Sequence, residues 1–140
     1  MRWLLLDQVV VIEKKKRACS RSRVPETGFS PELAMIEMMA QTGALLLGAE
    51  SDFKEDLVFA KIEKAEFSGG LRAGDSLEIE AASDNLRPEG AWFEGIIRHR
   101  GRSAASARFL LMNVGHLAGG GPVTFHDAFM NYFKIREKIK

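Results

Sequence analysis

The sequence predicts an α+β domain in which one long buried helix is wrapped by a curved antiparallel sheet. Three observations predict it. Residues 31–48, PELAMIEMMAQTGALLLG, are apolar on every side, so no face of that helix is left for water. Two β-rich segments precede it, and four follow it, separated by Gly-rich turns. The chain has 140 residues, enough for one domain with a real core.

Apolar residues make up 46% and charged residues 28%, the composition of an ordinary water-exposed domain. The net charge of +1 supplies no global field for nucleic acid. A single cysteine, Cys19, rules out a disulfide framework within one chain, and a reducing cytoplasm fits. The apolar patch at residues 3–6 is ended by Asp7, too soon for a secretory leader. The apolar run from Leu33 to Ala49 carries Glu37, Gln41 and Thr42 in its middle, so it reads as a core helix and no membrane span is expected.

Residues 3–13 are rich in Leu, Val and Ile and read as the first strand. The basic run at 14–17 is a solvated hairpin turn. Residues 18–24 alternate, with Cys19, Arg21 and Arg23 on a wet face and Ala18, Ser20, Ser22 and Val24 on a dry one. Ser30 is the expected N-cap of the helix, and Pro31 fits its first position, where a missing N–H costs nothing. Gly48, Ser51 and Asp52 mark the exit. Strands are expected at 57–67, 76–82, 91–100 and 102–114, and turns at 68–75, 85–90 and 101. This body, at 1–117, is then followed by a separate stretch, 118–140. There Gly119, Gly120, Gly121 and Pro122 break structure, and Thr124 with Asp127 suggests a capping box. An amphipathic helix over 125–139 would follow, its stripe Ala128, Tyr132, Ile135 and Ile139 flanked by Phe125, Phe129 and Phe133. It would pack on the domain's own surface or on a second subunit.

Glu37 and Gln41 are the polar residues of the buried helix. They stand four apart and share a face. A carboxylate there needs a partner or a proton. A structural reading pairs Glu37 with Arg21 or Arg23; a functional reading makes it an acid. No His or Cys cluster has metal-ligand spacing, so no metal is expected. Cys19 has no neighbouring base in sequence.

The segment LAMIEMMAQTGAL around Glu37 and Gln41 resembles the central helix of the 3-hydroxyacyl-[acyl carrier protein] dehydratases, the FabA/FabZ type of the hotdog fold. The start WLLLDQV, the strand FAKIEKAEF and the turn LRAGD are similar to family segments in the same order, from residue 3 to residue 114. The resemblance implies a helix wrapped by a sheet and pairing with a second copy, as a homodimer or an oligomer of dimers. It implies sites at the subunit interface, with Glu37 as the catalytic carboxylic acid. Phe29, Pro31, Glu32 and Gln41 would lie beside the substrate. That substrate would be a 3-hydroxyacyl chain on the phosphopantetheine of an acyl carrier protein or coenzyme A, with no further cofactor.

The chain departs from the family pattern at one place. The family's His-Phe-Pro-Gly loop should precede the helix, but here the sequence runs VPETGFSPE. The family's histidine position falls on Arg23, which cannot act as a base near neutral pH. Glu32 replaces the glycine whose N–H would hold the thioester oxygen. None of His99, His116 and His126 replaces the histidine by position, though His126 could if the tail folds over the site. Three functions are therefore expected to compete: a divergent dehydratase, a non-catalytic partner of an active paralogous dehydratase, and a hotdog thioesterase.

Overall fold

The computed structural model describes residues 5–26, 30–115 and 124–140. Strands β1 (Gln8–Glu13) and β2 (Arg17–Arg23) form a hairpin, followed by helix α1 (Pro31–Glu50). Strands β3 (Asp56–Phe67), β4 (Ser76–Ala82), β5 (Gly90–His99) and β6 (Arg102–Gly115) complete one six-stranded sheet. Its order is β1-β2-β4-β5-β6-β3, and each neighbouring pair is antiparallel. The sheet curves round α1, which touches all six strands. This is the hotdog arrangement that the sequence led us to expect.

The alternation of each central strand decides which side meets the helix. Ala18, Ser20 and Ser22 of β2, Leu77, Ile79 and Ala81 of β4, and Ala91, Phe93 and Ile97 of β5 are buried. From β6, Ala105, Ala107, Phe109 and Leu111 join them. Against these sit Met38, Met39, Leu45, Leu46 and Leu47 of α1. Gly95 lets the helix approach: a Cβ there would lie 2.8 Å from the Met39 sulfur. Two polar groups inside the core satisfy each other. The Thr42 hydroxyl donates to the Met38 carbonyl at 2.8 Å, so the Ser20 hydroxyl must be the donor in the 2.6 Å contact between them.

Ser30 caps α1 as expected, its hydroxyl accepting from the Leu33 N–H at 3.1 Å, with Pro31 in the first turn. The helix runs to Glu50, beyond the expected end at Gly48. The chain then reverses through Asp52 and Phe53, both in left-handed conformation. That conformation is costly for a bulky residue. Burial of the Phe53 ring edge-on against Phe125, centroids 5.1 Å apart, compensates it.

The tail differs from the single helix expected. It forms two short helices, α2 (Asp127–Tyr132) and α3 (Ile135–Lys138), divided at Lys134, whose φ is +51°. No capping box forms: His126 Nδ1, not Thr124, accepts from the first turn at Phe129 N–H. The buried stripe is Phe125, Phe129, Phe133 and Ile135, while Tyr132 is 73% exposed and Ala128 faces solvent. A break at Lys134 rotates the second helix, so one continuous helical periodicity cannot describe both. The tail packs on the domain's own surface. Its last residues run beside β1, with Ile139 bridging Ile12 in parallel and the Lys140 N–H donating to the Ile12 carbonyl at 2.8 Å.

Candidate functional site

Helix α1 presents Glu37, Ala40, Gln41 and Ala44 along one side, the spacing that aligns residues over two turns. Opposite stand Leu57, Val58 and Phe59 of β3, Leu111 of β6 and Thr124 of the tail. Between them lies a narrow, mostly apolar groove of about 120 Å³. Among the described residues Glu37 is its one ionisable lining group. A wider depression of about 410 Å³ lies beside Asp7, Arg23 and Glu26.

The Glu37–Gln41 geometry follows from hydrogen-bond logic. The Leu5 backbone N–H can only donate, and it meets Gln41 Oε1 at 3.1 Å. The carboxamide nitrogen must therefore point the other way, and Nε2 donates to Glu37 Oε1 at 3.1 Å. Gln41 is 8% exposed and Glu37 is half-buried. One carboxyl oxygen is thus fixed by an amide donor, which leaves the second to carry a proton or meet a ligand.

The pairing of Glu37 with Arg21 or Arg23 does not occur. Both arginines lie on the outer face of β2, away from α1, and Arg23 instead meets Asp7 at 3.2 Å. Pro31 is half-buried in the first turn of α1, and Glu32 beside it is exposed; neither lines the groove. Phe29 and His116 lie outside the described residues.

The other histidines are engaged elsewhere. His99 Nδ1 contacts the Ser76 carbonyl at 2.8 Å, and His126 caps α2. Cys19 lies on the outer face of β2, where burial pushes its thiol up from the ordinary value. It is therefore protonated at neutral pH and a weak nucleophile. Among the described residues no group of His, Cys, Asp or Glu could hold a metal ion. No described helix is long and apolar enough to cross a membrane.

The sequence pointed to the Glu37–Gln41 pair through its spacing. It gave no signal for Leu5, whose backbone fixes the pair. Nor did it signal the pairing of Asp56 with Thr124. Asp56 is fully buried and accepts from the Thr124 N–H at 2.7 Å, while the Leu57 N–H donates to Thr124 Oγ1 at 3.2 Å.

With this geometry in view, the chain can be compared with known proteins. No family profile matches it. A 3-hydroxyacyl-[acyl-carrier-protein] dehydratase FabZ of Polaromonas sp. is 32% identical over 110 residues, covering 68% of this chain and 76% of that protein. The chain belongs to the FabZ dehydratase family. A second member, from Caldanaerobacter subterraneus, is 26% identical over 122 residues, or 79% of this chain and 86% of that protein. Among solved structures, the dehydratase heterocomplex ApeI:P from Xenorhabdus doucetiae shares the fold, with a TM-score of 0.67 at 19% identity, covering 79% of this chain and 83% of that one.

Proposed function

We propose that this chain is a dehydratase-type subunit that binds acyl thioesters, with Glu37 as the acid and the base supplied by a second subunit. The observation that carries the reading is the Glu37 carboxyl, oriented by Gln41, in the wall of a narrow apolar groove. An apolar groove suits an acyl chain, and a carboxyl in its wall suits the oxygen functions near the thioester. The substrate class is a 3-hydroxyacyl group on the phosphopantetheine arm of an acyl carrier protein or coenzyme A, as in fatty-acid-type biosynthesis in the cytoplasm. The substrate brings that arm with it, and no further cofactor is required.

Elimination of water from such a substrate needs two groups. A base takes the C2 proton, and the electron pair left behind forms the C2–C3 double bond. An acid protonates the 3-hydroxyl, which departs as water. Glu37 can serve as the acid through the oxygen that Gln41 does not hold. The segment before α1 contains no histidine, and His99 and His126 are occupied elsewhere. In this reading a paralogous, histidine-bearing dehydratase would supply the base. The ApeI:P structure, a heterocomplex by its description, is a precedent for that kind of assembly.

The open edge of β3 is the place for a second subunit. Phe59 and Ile62 are 36% and 41% exposed there, and among the described residues β6 is the strand's one neighbour in the sheet. A second copy of the chain could occupy the same edge, as a homodimer or an oligomer of dimers.

The test is conversion of a 3-hydroxyacyl carrier-protein thioester, with and without a co-expressed paralogous dehydratase. Enoyl product is expected only from the pair, and Glu37→Gln in this chain should remove its contribution. Release of free thiol by the chain alone would replace this reading with a thioesterase, in which Glu37 activates water.

A further inference from the structure

A residue of the tail, Thr124, lines the groove beside Glu37 together with Ala44 and Leu57. Ala44 stands seven residues beyond Glu37, about 10 Å along the helix axis. Leu57 begins the strand that leaves the C-terminal end of α1, so Leu57 and Ala44 share the groove's deep end, whereas Phe59 lies nearer Glu37. Thr124 is fixed at that same end by two hydrogen bonds: its N–H to Asp56 Oδ1 at 2.7 Å, and its hydroxyl from the Leu57 N–H at 3.2 Å. Asp56 is fully buried. A buried carboxyl that clamps a residue 68 positions away is costly to keep unless its partners hold it in place. Phe125, next in the chain, packs against Gly48 and Phe53 and secures the clamp from behind.

We infer that Thr124, clamped by Asp56, is the end wall of the acyl groove and limits this site to short acyl chains. The inference rests on the reading of the groove as an acyl site. The small residues Ala40 and Ala44 leave room along the helix, and Thr124 stops it. At about 120 Å³ the space is smaller than the roughly 150 Å³ apolar cavity that admits the six carbons of benzene. An acyl group of about four carbons fills it. The tail thereby acts as a specificity element, separate from the Glu37–Gln41 pair.

The test uses pantetheine thioethers bearing 2-oxoalkyl chains of graded length, which keep the carbonyl but cannot be hydrolysed. Binding to the full chain, with its partner subunit where that is required, is measured by calorimetry. Affinity should rise about fourfold per methylene up to the limit, then stop rising or fall. Thr124→Gly should move the optimum to longer chains, and Ala44→Leu should move it to shorter ones. Each variant is checked for native circular dichroism, and Ala44→Leu decides the matter if Thr124→Gly does not fold. A length optimum that stays in place in the folded variants overturns the inference and leaves the acyl site standing. Absence of binding at every length, with or without the partner, overturns the acyl site and the inference together.

Discussion

Gln41 is held at both ends of its carboxamide, and this explains why a buried helix tolerates a carboxylate. The Leu5 N–H takes the oxygen, and the Glu37 carboxyl takes the nitrogen. Replacing Gln41 by Leu leaves the Leu5 N–H without that acceptor in a part-buried place and removes the donor to Glu37. An unsatisfied buried donor costs about 1–3 kcal/mol. Urea denaturation of Gln41→Leu is expected to show a loss of that size. Acyl-thioester binding should weaken with it, because Glu37 is then free to rotate.

Elements were legible to the extent that their signals are local. Helix α1 announced itself by apolar residues all round and by Ser30-Pro31. The strands announced themselves by alternation, and the inner face of β2 was readable residue by residue. The tail was read less well. Its aromatic residues Phe125, Phe129 and Phe133 repeat every four positions and compete with the Ala128–Tyr132 stripe. The turn at Lys134 carries neither Gly nor Pro to betray a left-handed residue. The clamp between Asp56 and Thr124 joins distant segments, so no window of sequence contains it.

Two predictions belong to this scale. A Cβ at Gly48 would lie 2.5 Å from the Phe125 ring. Gly48→Ala should therefore loosen the junction of α1 and the tail by about 1–3 kcal/mol, visible as faster proteolysis after residue 124. The second concerns Arg136, which meets Asp52 at 2.7 Å. The guanidinium holds the Asp52 carboxyl below its ordinary value. Its contribution is thus present above the unfolded carboxyl's range of about 3.9 and is lost as pH falls through the lower folded value. Asp52→Asn should lower Tm slightly at about pH 6 and leave it unchanged at about pH 2.

For the whole molecule, the two edges of the sheet are treated differently. The β1 edge is covered by the chain's last residues, through Ile139 and Lys140. Among the described residues the outer β3 edge is unpaired; its ladder with β6 shifts register at three places, and it carries Phe59 and Ile62. An open strand edge is a template for pairing. If a second subunit sits there, Ile62→Lys should shift sedimentation toward the monomer, while an equivalent charge on the outer face of β4, such as Glu78→Lys, should not.

The covering of β1 also has a consequence for the order in which the molecule is made. Strand β1 finds its outer neighbour only in Ile139 and Lys140, the most distant contact in sequence among the described residues of the sheet. During synthesis the hairpin of β1 and β2 therefore has one edge bare until those two residues are added. Contacts of such long range form late, and unpaired edges in waiting chains invite association. The amide of Lys14, which donates to the Lys140 carbonyl at 3.3 Å, should accordingly be among the last to gain protection from hydrogen exchange during refolding.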